Sequence, residues 1–230
     1  MIYRRACILL QARVGDSTRP STRLGAANVG TDYTCSMISA VVLAAGASTR
    51  MGEQKLLLPL GGEPIVRRTV RHLCETGVDE VLVIVGHQHE RVIEALDGLS
   101  IRHAINEKYQ EGMGSSFRIA IQHLGASDAA LFALADQPFV TAAEYRLVLD
   151  AFRQHAPAIV SVRYGDVTAP PHMFSKELFP ELAQLQHGAR PVLERHSDRR
   201  IVLPFPPELL QDIDTPEDYE VARSRLASGR

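Results

Sequence analysis

Arg50 and Lys55 close the run Leu43-Ala44-Ala45-Gly46-Ala47-Ser48-Thr49-Arg50-Met51-Gly52-Glu53-Gln54-Lys55. The residue types in it suit an anion. Small side chains let the backbone approach a ligand, Gly46 and Gly52 are free to take positive φ, and successive amides in such a turn form a nest for negative oxygen. Arg50 and Lys55 add the charge that a triphosphate needs. The loop lacks the Gly-Lys-Ser/Thr of a Walker motif. On composition alone, a glycine-bearing surface loop with incidental basic residues accounts for it equally well.

The matching acids lie far along the chain. Asp136, in Leu134-Ala135-Asp136-Gln137-Pro138-Phe139-Val140, follows an apolar run. A carboxylate at the C-terminal end of a parallel strand points into the ligand crevice and suits Mg²⁺, which takes one or two carboxylates plus phosphate and water. The competing role is to cap the helix after Pro138, a job for which Thr141 also stands ready. Asp212 and Asp214 alternate in Asp212-Ile213-Asp214-Thr215-Pro216-Glu217-Asp218, so both project to one side of an extended chain. Asp214 is favoured as the second metal ligand, with capping of the last helix as its alternative. Ser115 and Ser116, after Glu111-Gly112-Met113-Gly114, read either as a serine cap or as a turn whose amides and hydroxyls hold part of a nucleotide. Gly86 follows a strand at the same edge, and His87 and His89 beyond it read as solvent-facing, since no further ligands cluster with them.

The elements that must position these groups alternate. Apolar runs over 38–45, 81–85, 129–134 and 158–162 read as buried strands, with a further strand over 100–105. Between them, helices are expected from Pro64, where Val66, Thr69, Val70, Leu73 and Gly77 share a face, over 90–96, over 115–123 with a serine cap, and over 142–154. The last helix starts at Thr215-Pro216. This order predicts an α/β fold: a three-layer, Rossmann-like, mostly parallel sheet with helices on both faces. Ligands then bind beyond the C-terminal strand ends, where the motifs after Leu43, Val85 and Leu134 fall.

The ordered string Leu43-Ala44-Ala45-Gly46-x-Ser48-x-Arg50-Met51-Gly52-x-x-Lys55, followed by Leu57-Leu58-Pro59-Leu60-Gly61-Gly62, resembles the signature of the NTP-transferase family. More narrowly it resembles the molybdenum cofactor cytidylyltransferases. The resemblance runs from residue 37 to about 226. It implies that the loop from Leu43 to Gly46 wraps a triphosphate, that Lys55 and Arg50 contact phosphates, and that Asp136, in Asp-Gln-Pro-x-Val, binds Mg²⁺, with Mn²⁺ as a substitute. Asp212 to Asp218 is similar to the family's C-terminal acidic segment. Gly112-x-x-Ser115-Ser116 is similar to a turn that lines the nucleotide pocket, to which Gly86 is added. Ala45 matches the cytidylyl type, whereas guanylyl types carry Ala-Gly-Gly.

The implied reaction is attack by a phosphate of molybdopterin-type molybdenum cofactor on the α-phosphate of CTP, releasing pyrophosphate. Gln137 and Arg190 are the expected acceptor contacts. A molybdoenzyme or its chaperone is the implied transient partner. The acceptor half departs from the family: Ala169 and Pro170 stand where Gly-His is common, and Gln186 where an acid is common. GTP or another phosphorylated acceptor therefore remains open, as does a non-catalytic carrier of the cofactor.

Composition bounds the rest. The 230 residues are 45% hydrophobic and 23% charged with a net charge of −2, which excludes a disordered chain and a polybasic coat for nucleic acid or membrane. No apolar run approaches the ~20 residues of a membrane span. Cys7, Cys35 and Cys74 are odd in number and widely spaced, against a disulfide framework or zinc site, so a cytoplasmic setting is expected. Residues 1–36 show neither period and read as a disordered extension or a start-site artefact ahead of a nucleotidyltransferase domain over 37–230. They hold five Arg against two Asp, leaving the remainder at −5. An anionic domain must focus positive potential locally, as Arg50 and Lys55 do.

Overall fold

Seven strands form one sheet in the order β5-β4-β1-β6-β8-β7-β9. The structure, a computed structural model, describes residues 37–228; the expected extension over 1–36, with Cys7 and Cys35, lies outside them. In chain order the elements are β1 (Ile38–Ala44), β2 (Pro59–Leu60), β3 (Glu63–Pro64), α1 (Ile65–Cys74), β4 (Glu80–Val85), α2 (His89–Ala95), β5 (Arg102–Ile105) and α3 (Met113–His123). There follow β6 (Ala129–Leu134), α4 (Ala142–His155), β7 (Ile159–Tyr164), β8 (Val167–Ser175), α5 (Phe179–Leu182), α6 (Arg190–Arg195), β9 (Arg200–Phe205) and α7 (Pro216–Ala227). The short pair β2 and β3 forms a separate hairpin.

The sheet is mostly parallel. β1 runs parallel to β4 on one side and β6 on the other, β4 parallel to β5, and β7 parallel to β9. Only β8 runs against its neighbours, β6 and β7. The chain therefore turns from one side of β1 to the other, which opens a crevice at the C-terminal ends of β1 and β6.

Alternation along the strands fills two cores. Ala40, Val42 and Ala44 of β1 join Val66, Val70 and Leu73 of α1, Val92 of α2 and Val148 of α4 on one face. Val41 joins Leu82, Ile84, Phe117 and Ala120 on the other, with Leu182 and Val192 from the later helices. With period-2 strands between amphipathic helices, both faces of the sheet are covered.

β8, like β9, is a strand that the sequence reading does not reveal. Its sequence, Val167-Thr168-Ala169-Pro170-Pro171-His172-Met173-Phe174-Ser175, carries two prolines that cannot donate to a ladder. The pairing accommodates them: Val160 of β7 faces Met173, but Val162 faces Ala169, so the register slips where the prolines lie.

Two helix starts settle competing roles of the acids. Thr141 caps α4 in a reciprocal box with Glu144, and Thr215 caps α7 with Asp218. Neither Asp136 nor Asp214 is needed as a cap. The expected serine cap of α3 is corrected: Gly112, at φ 103°, precedes the helix without a side-chain bond, and Ser115 and Ser116 lie within its first turns. Among the described residues, no helix is long and apolar enough to cross a membrane.

Candidate active site

At the ends of β1 and β6, Lys55 bridges two carboxylates. Its ammonium donates to Asp136 Oδ2 at 2.5 Å and to Asp214 Oδ1 at 2.8 Å, and its side chain is only 12% exposed. Arg50 Nη2 pairs with the other oxygen of Asp214 at 2.8 Å, from a side chain that is 67% exposed. Burial alone would lower the Lys55 pKa; the charges and hydrogen bonds of Asp136 and Asp214 outweigh it and raise the pKa. Burial would raise the Asp214 carboxyl, but the hydrogen bond and charge of Lys55, then Arg50, hold it below the ordinary range. Lys55 and Asp214 are thus both charged at neutral pH.

The loop before Lys55 is held from inside by Gln54, a residue that motif reading leaves as filler. Gln54 is 3% exposed. Its amide donates to the carbonyls of Gly46 and His87 at 3.2 and 3.0 Å, and its oxygen accepts from Ser48 Oγ at 2.7 Å. Ser48 Oγ in turn accepts from the Lys55 amide at 3.2 Å. The left-handed positions in the loop are Ser48 and Gly52, rather than Gly46. At Gly46 a Cβ would meet no atom within 4 Å, so the backbone there faces open space. A long polar side chain just before the basic residue is the one local signal for Gln54.

A cavity of about 300 Å³ opens above these groups. Leu43, Ala44, Ala45 and Gly46 line it with Arg50, Lys55, Asp136, Asp214 and Ser116. Ser116 is oriented by Asn106, a wholly buried residue at the end of β5 that sequence reasoning missed. Asn106 Nδ2 donates to Ser115 Oγ at 2.8 Å and to Ser116 Oγ at 3.0 Å. Ser115 Oγ donates to the Gly112 carbonyl at 2.7 Å, which locks it as a strut. Ser116 accepts from Asn106 and keeps its own proton for a ligand.

Two expected contacts sit behind the cavity. A Cβ on Gly86 would come within 2.7 Å of the Ala45 carbonyl and 2.8 Å of its Cβ; the glycine lets Ala45 reach the cavity wall. Gln137 is 1% exposed, and its amide donates to Asp212 Oδ1 at 2.9 Å. That hydrogen bond makes Gln137, expected as an acceptor contact, a support for the Asp212 carboxylate. Asp212 keeps an exposed edge, yet its carboxyl is pushed above the ordinary range. Loss of water is the main cause, opposed by the Gln137 hydrogen bond and reinforced by the charges of Asp136 and Asp214. Arg190 lies farther off, exposed and paired with Glu194 at 2.7 Å, on a second cavity of about 590 Å³. The two cavities share Leu43, Met113 and Leu134.

No cluster of three or more His, Cys, Asp or Glu side chains among the described residues could hold a metal unaided. The donor set nevertheless fits a hard cation shared with phosphate. Asp136 and Asp214 converge on one point, and a positive charge, the Lys55 ammonium, already stands there. Two carboxylates completed by phosphate and water suit Mg²⁺, and Mn²⁺ accepts the same oxygen donors.

Known proteins share this arrangement of chain. PucB of Bacillus subtilis (strain 168), named as a purine catabolism protein, is 30% identical over 205 residues, covering 81% of this chain and 96% of that protein. The bifunctional protein GlmU of Geotalea uraniireducens (strain Rf4) is 33% identical over 137 residues, 58% of this chain. The chain spans only 30% of that relative's length. Among solved structures, a nucleotidyl transferase from Methanothermobacter superposes with a TM-score of 0.74 at 26% identity, covering 85% of this chain and 100% of that one. A Mycobacterium tuberculosis H37Rv protein solved with manganese superposes at 0.67 with 27% identity, covering 82% and 98%. Residues 40–200 match the MobA-like NTP transferase domain, a span that takes in the phosphate loop, Lys55 and Asp136, and the chain therefore belongs to that family.

Proposed function

We propose that this protein is a Mg²⁺-dependent nucleotidyltransferase that moves CMP from CTP onto the phosphate of molybdopterin-type molybdenum cofactor. The observation that carries the reading is the Lys55 bridge between Asp136 and Asp214, at the mouth of a cavity floored by residues 43–46. A pure carrier of the cofactor has no use for such a cation-and-carboxylate cluster beside an anion-binding loop.

The chain's own groups divide the work. Backbone amides of the loop after β1 and the Arg50 guanidinium hold the β- and γ-phosphates. Lys55 turns from its carboxylates to the phosphates and offsets the charge that builds on the leaving pyrophosphate. Asp136 and Asp214 would hold the divalent cation, which when bound would supply Lewis-acid charge neutralisation at the α-phosphate. An oxygen of the acceptor phosphate attacks the α-phosphorus. The bond from that phosphorus to the bridging oxygen breaks, and pyrophosphate departs with the electron pair. Ser116 offers a proton to the ribose or base.

CTP is preferred because Ala45 follows the cytidylyl pattern and its Cβ is seated against Gly86. The acceptor phosphate enters from the second cavity, which adjoins the first. The purine-catabolism name of the relative matched over nearly its full length supports delivery of the product to an enzyme of purine breakdown, in line with a molybdoenzyme partner. The deciding experiment incubates the protein with Mg²⁺, molybdenum cofactor and either CTP or GTP. A cytosine dinucleotide with one pyrophosphate per turnover is expected. Product from GTP alone would reassign the base, and no product from either would overturn the reading.

A further inference from the structure

Three buried polar atoms on neighbouring strands have no hydrogen-bond partner: His172 Nδ1 of β8, Ser161 Oγ of β7 and Nε of the half-buried Arg200 of β9. They share one face of the sheet. Val160 and Val162 pack into the opposite core, so Ser161 between them faces away from it; Met173 and Ile201 likewise pack on that opposite side, leaving His172 and Arg200 with Ser161. β7 lies between β8 and β9, which makes the three a continuous patch. Buried polar groups left unpaired are costly and uncommon in folded proteins.

His172 and Arg200 line the second cavity, whose other walls include Phe117, Phe132 and Leu193. His172 is 5% exposed. The Arg200 guanidinium makes no hydrogen bond or ion pair among the described residues. The cavity thus combines apolar walls with an imidazole and a guanidinium, and Asp166, Arg190 and Glu194 also line it, so its two cations and two anions balance. Such a set recognises an oxygen-bearing, hydrogen-bond-accepting edge on an otherwise apolar-faced body. His172 and Arg200 line the second cavity and not the first, which holds Lys55 and Asp136; Ser161 lies on the same sheet face outside the cavity lining.

We propose that His172 and Arg200 form the specificity patch for the non-reacting body of the acceptor, reading a carbonyl-type oxygen on it. This deepens the transferase reading and rests on it for the identity of the acceptor. Binding energy gathered there would orient the acceptor phosphate towards the α-phosphorus.

The test measures two things separately: equilibrium binding of molybdopterin without nucleotide, and dinucleotide formation with CTP and Mg²⁺. His172→Phe and Arg200→Gln are each expected to weaken molybdopterin binding about tenfold, the effect of one lost hydrogen bond, with the KM for CTP unchanged. His172→Gln, which keeps a hydrogen-bonding group, is expected to recover most of the affinity, and melting temperatures establish that each variant is folded. In turnover, the preference for molybdopterin over a simple alkyl phosphate falls in the same two variants. If the wild type makes dinucleotide while folded His172→Phe and Arg200→Gln bind molybdopterin as it does, the patch is overturned and the transferase reading stands. If the wild type binds molybdopterin through the patch but transfers nothing, the reverse holds. Absence of both binding and transfer overturns both.

Discussion

Lys55 Nζ lies 2.5 Å from Asp136 Oδ2, an ion pair that joins the loop after β1 to the end of β6. The same ammonium holds Asp214, so the lysine occupies the place where two carboxylates could share a cation. Lys55→Ala should cut turnover by about 10²–10³, the usual effect of removing a preorganised charge. It should also leave the two carboxylates facing each other unneutralised. Mg²⁺ without nucleotide is then expected to raise the melting temperature of Lys55→Ala more than that of the wild type, because selective binding to the native state stabilises it. An equal rise in both proteins would mean that the metal goes elsewhere.

Asp212 and Asp214 should separate under the same substitution. Asp214 faces Lys55 and Arg50, whereas Asp212 accepts from the buried Gln137 amide. Asparagine at 212 keeps an oxygen for that amide and removes a charge that its neighbours already disfavour. Asp212→Asn should therefore leave the Mg²⁺ concentration for half-maximal activity within about twofold of wild type, judged by one retained hydrogen bond. Asp214→Asn should raise it at least about tenfold, as loss of one of two anionic ligands implies. The reverse ranking would move the second ligand to Asp212.

Much of this site was legible because its chemistry is local in sequence. The phosphate loop that leads to Lys55, and Asp136, each follow an apolar strand, and continuous apolar runs announce those strands. The supports were not legible, because they act across the fold. Gln54 and Asn106 look like incidental polar residues until their amides are seen tying Gly46 to His87 and Ser115 to Ser116. Gly86 suggests ligand contact from its place after a strand, but its small size serves Ala45. β8 escaped because its prolines break the ladder pattern on which strand reading depends, and with it went the role of His172. Thr141 and Thr215 show the converse: their capping signals are local, and finding both caps filled releases Asp136 and Asp214 for the site.

Gly86→Ala should disturb the nucleotide loop without touching a ligand. The new methyl would sit 2.7 Å from the Ala45 carbonyl, a backbone atom that cannot swing aside. Overpacking of this kind costs about 1–3 kcal/mol. The expected result is a lower urea midpoint together with a higher KM for CTP, since Ala45 lines the cavity. A stable variant with normal CTP affinity would show that the loop can shift freely and would remove Gly86 from the support of the site.

His172 should make the protein sensitive to mild acid. Burial pushes its pKa down to about 4; the Pro171 carbonyl opposes this and the charge of Arg200 adds to it. The unfolded chain takes up a proton near pH 6.5, while the folded chain resists until about pH 4. The unfolded state then binds more protons between those values, so stability is full above about pH 6.5 and falls as the pH drops through that window. Burial also lowers the pKa of His72, with the charges of Arg71 and Arg68 assisting, and it contributes with the same sign. Urea unfolding at pH 7.5 and 4.5 should show the wild type losing stability, and His172→Phe losing less by about 2 kcal/mol, the order that such a shift implies. Equal losses in the two proteins would mean that the imidazole takes up its proton as readily in the fold as in the unfolded chain, and that in mild acid His172 adds a positive charge to the second cavity.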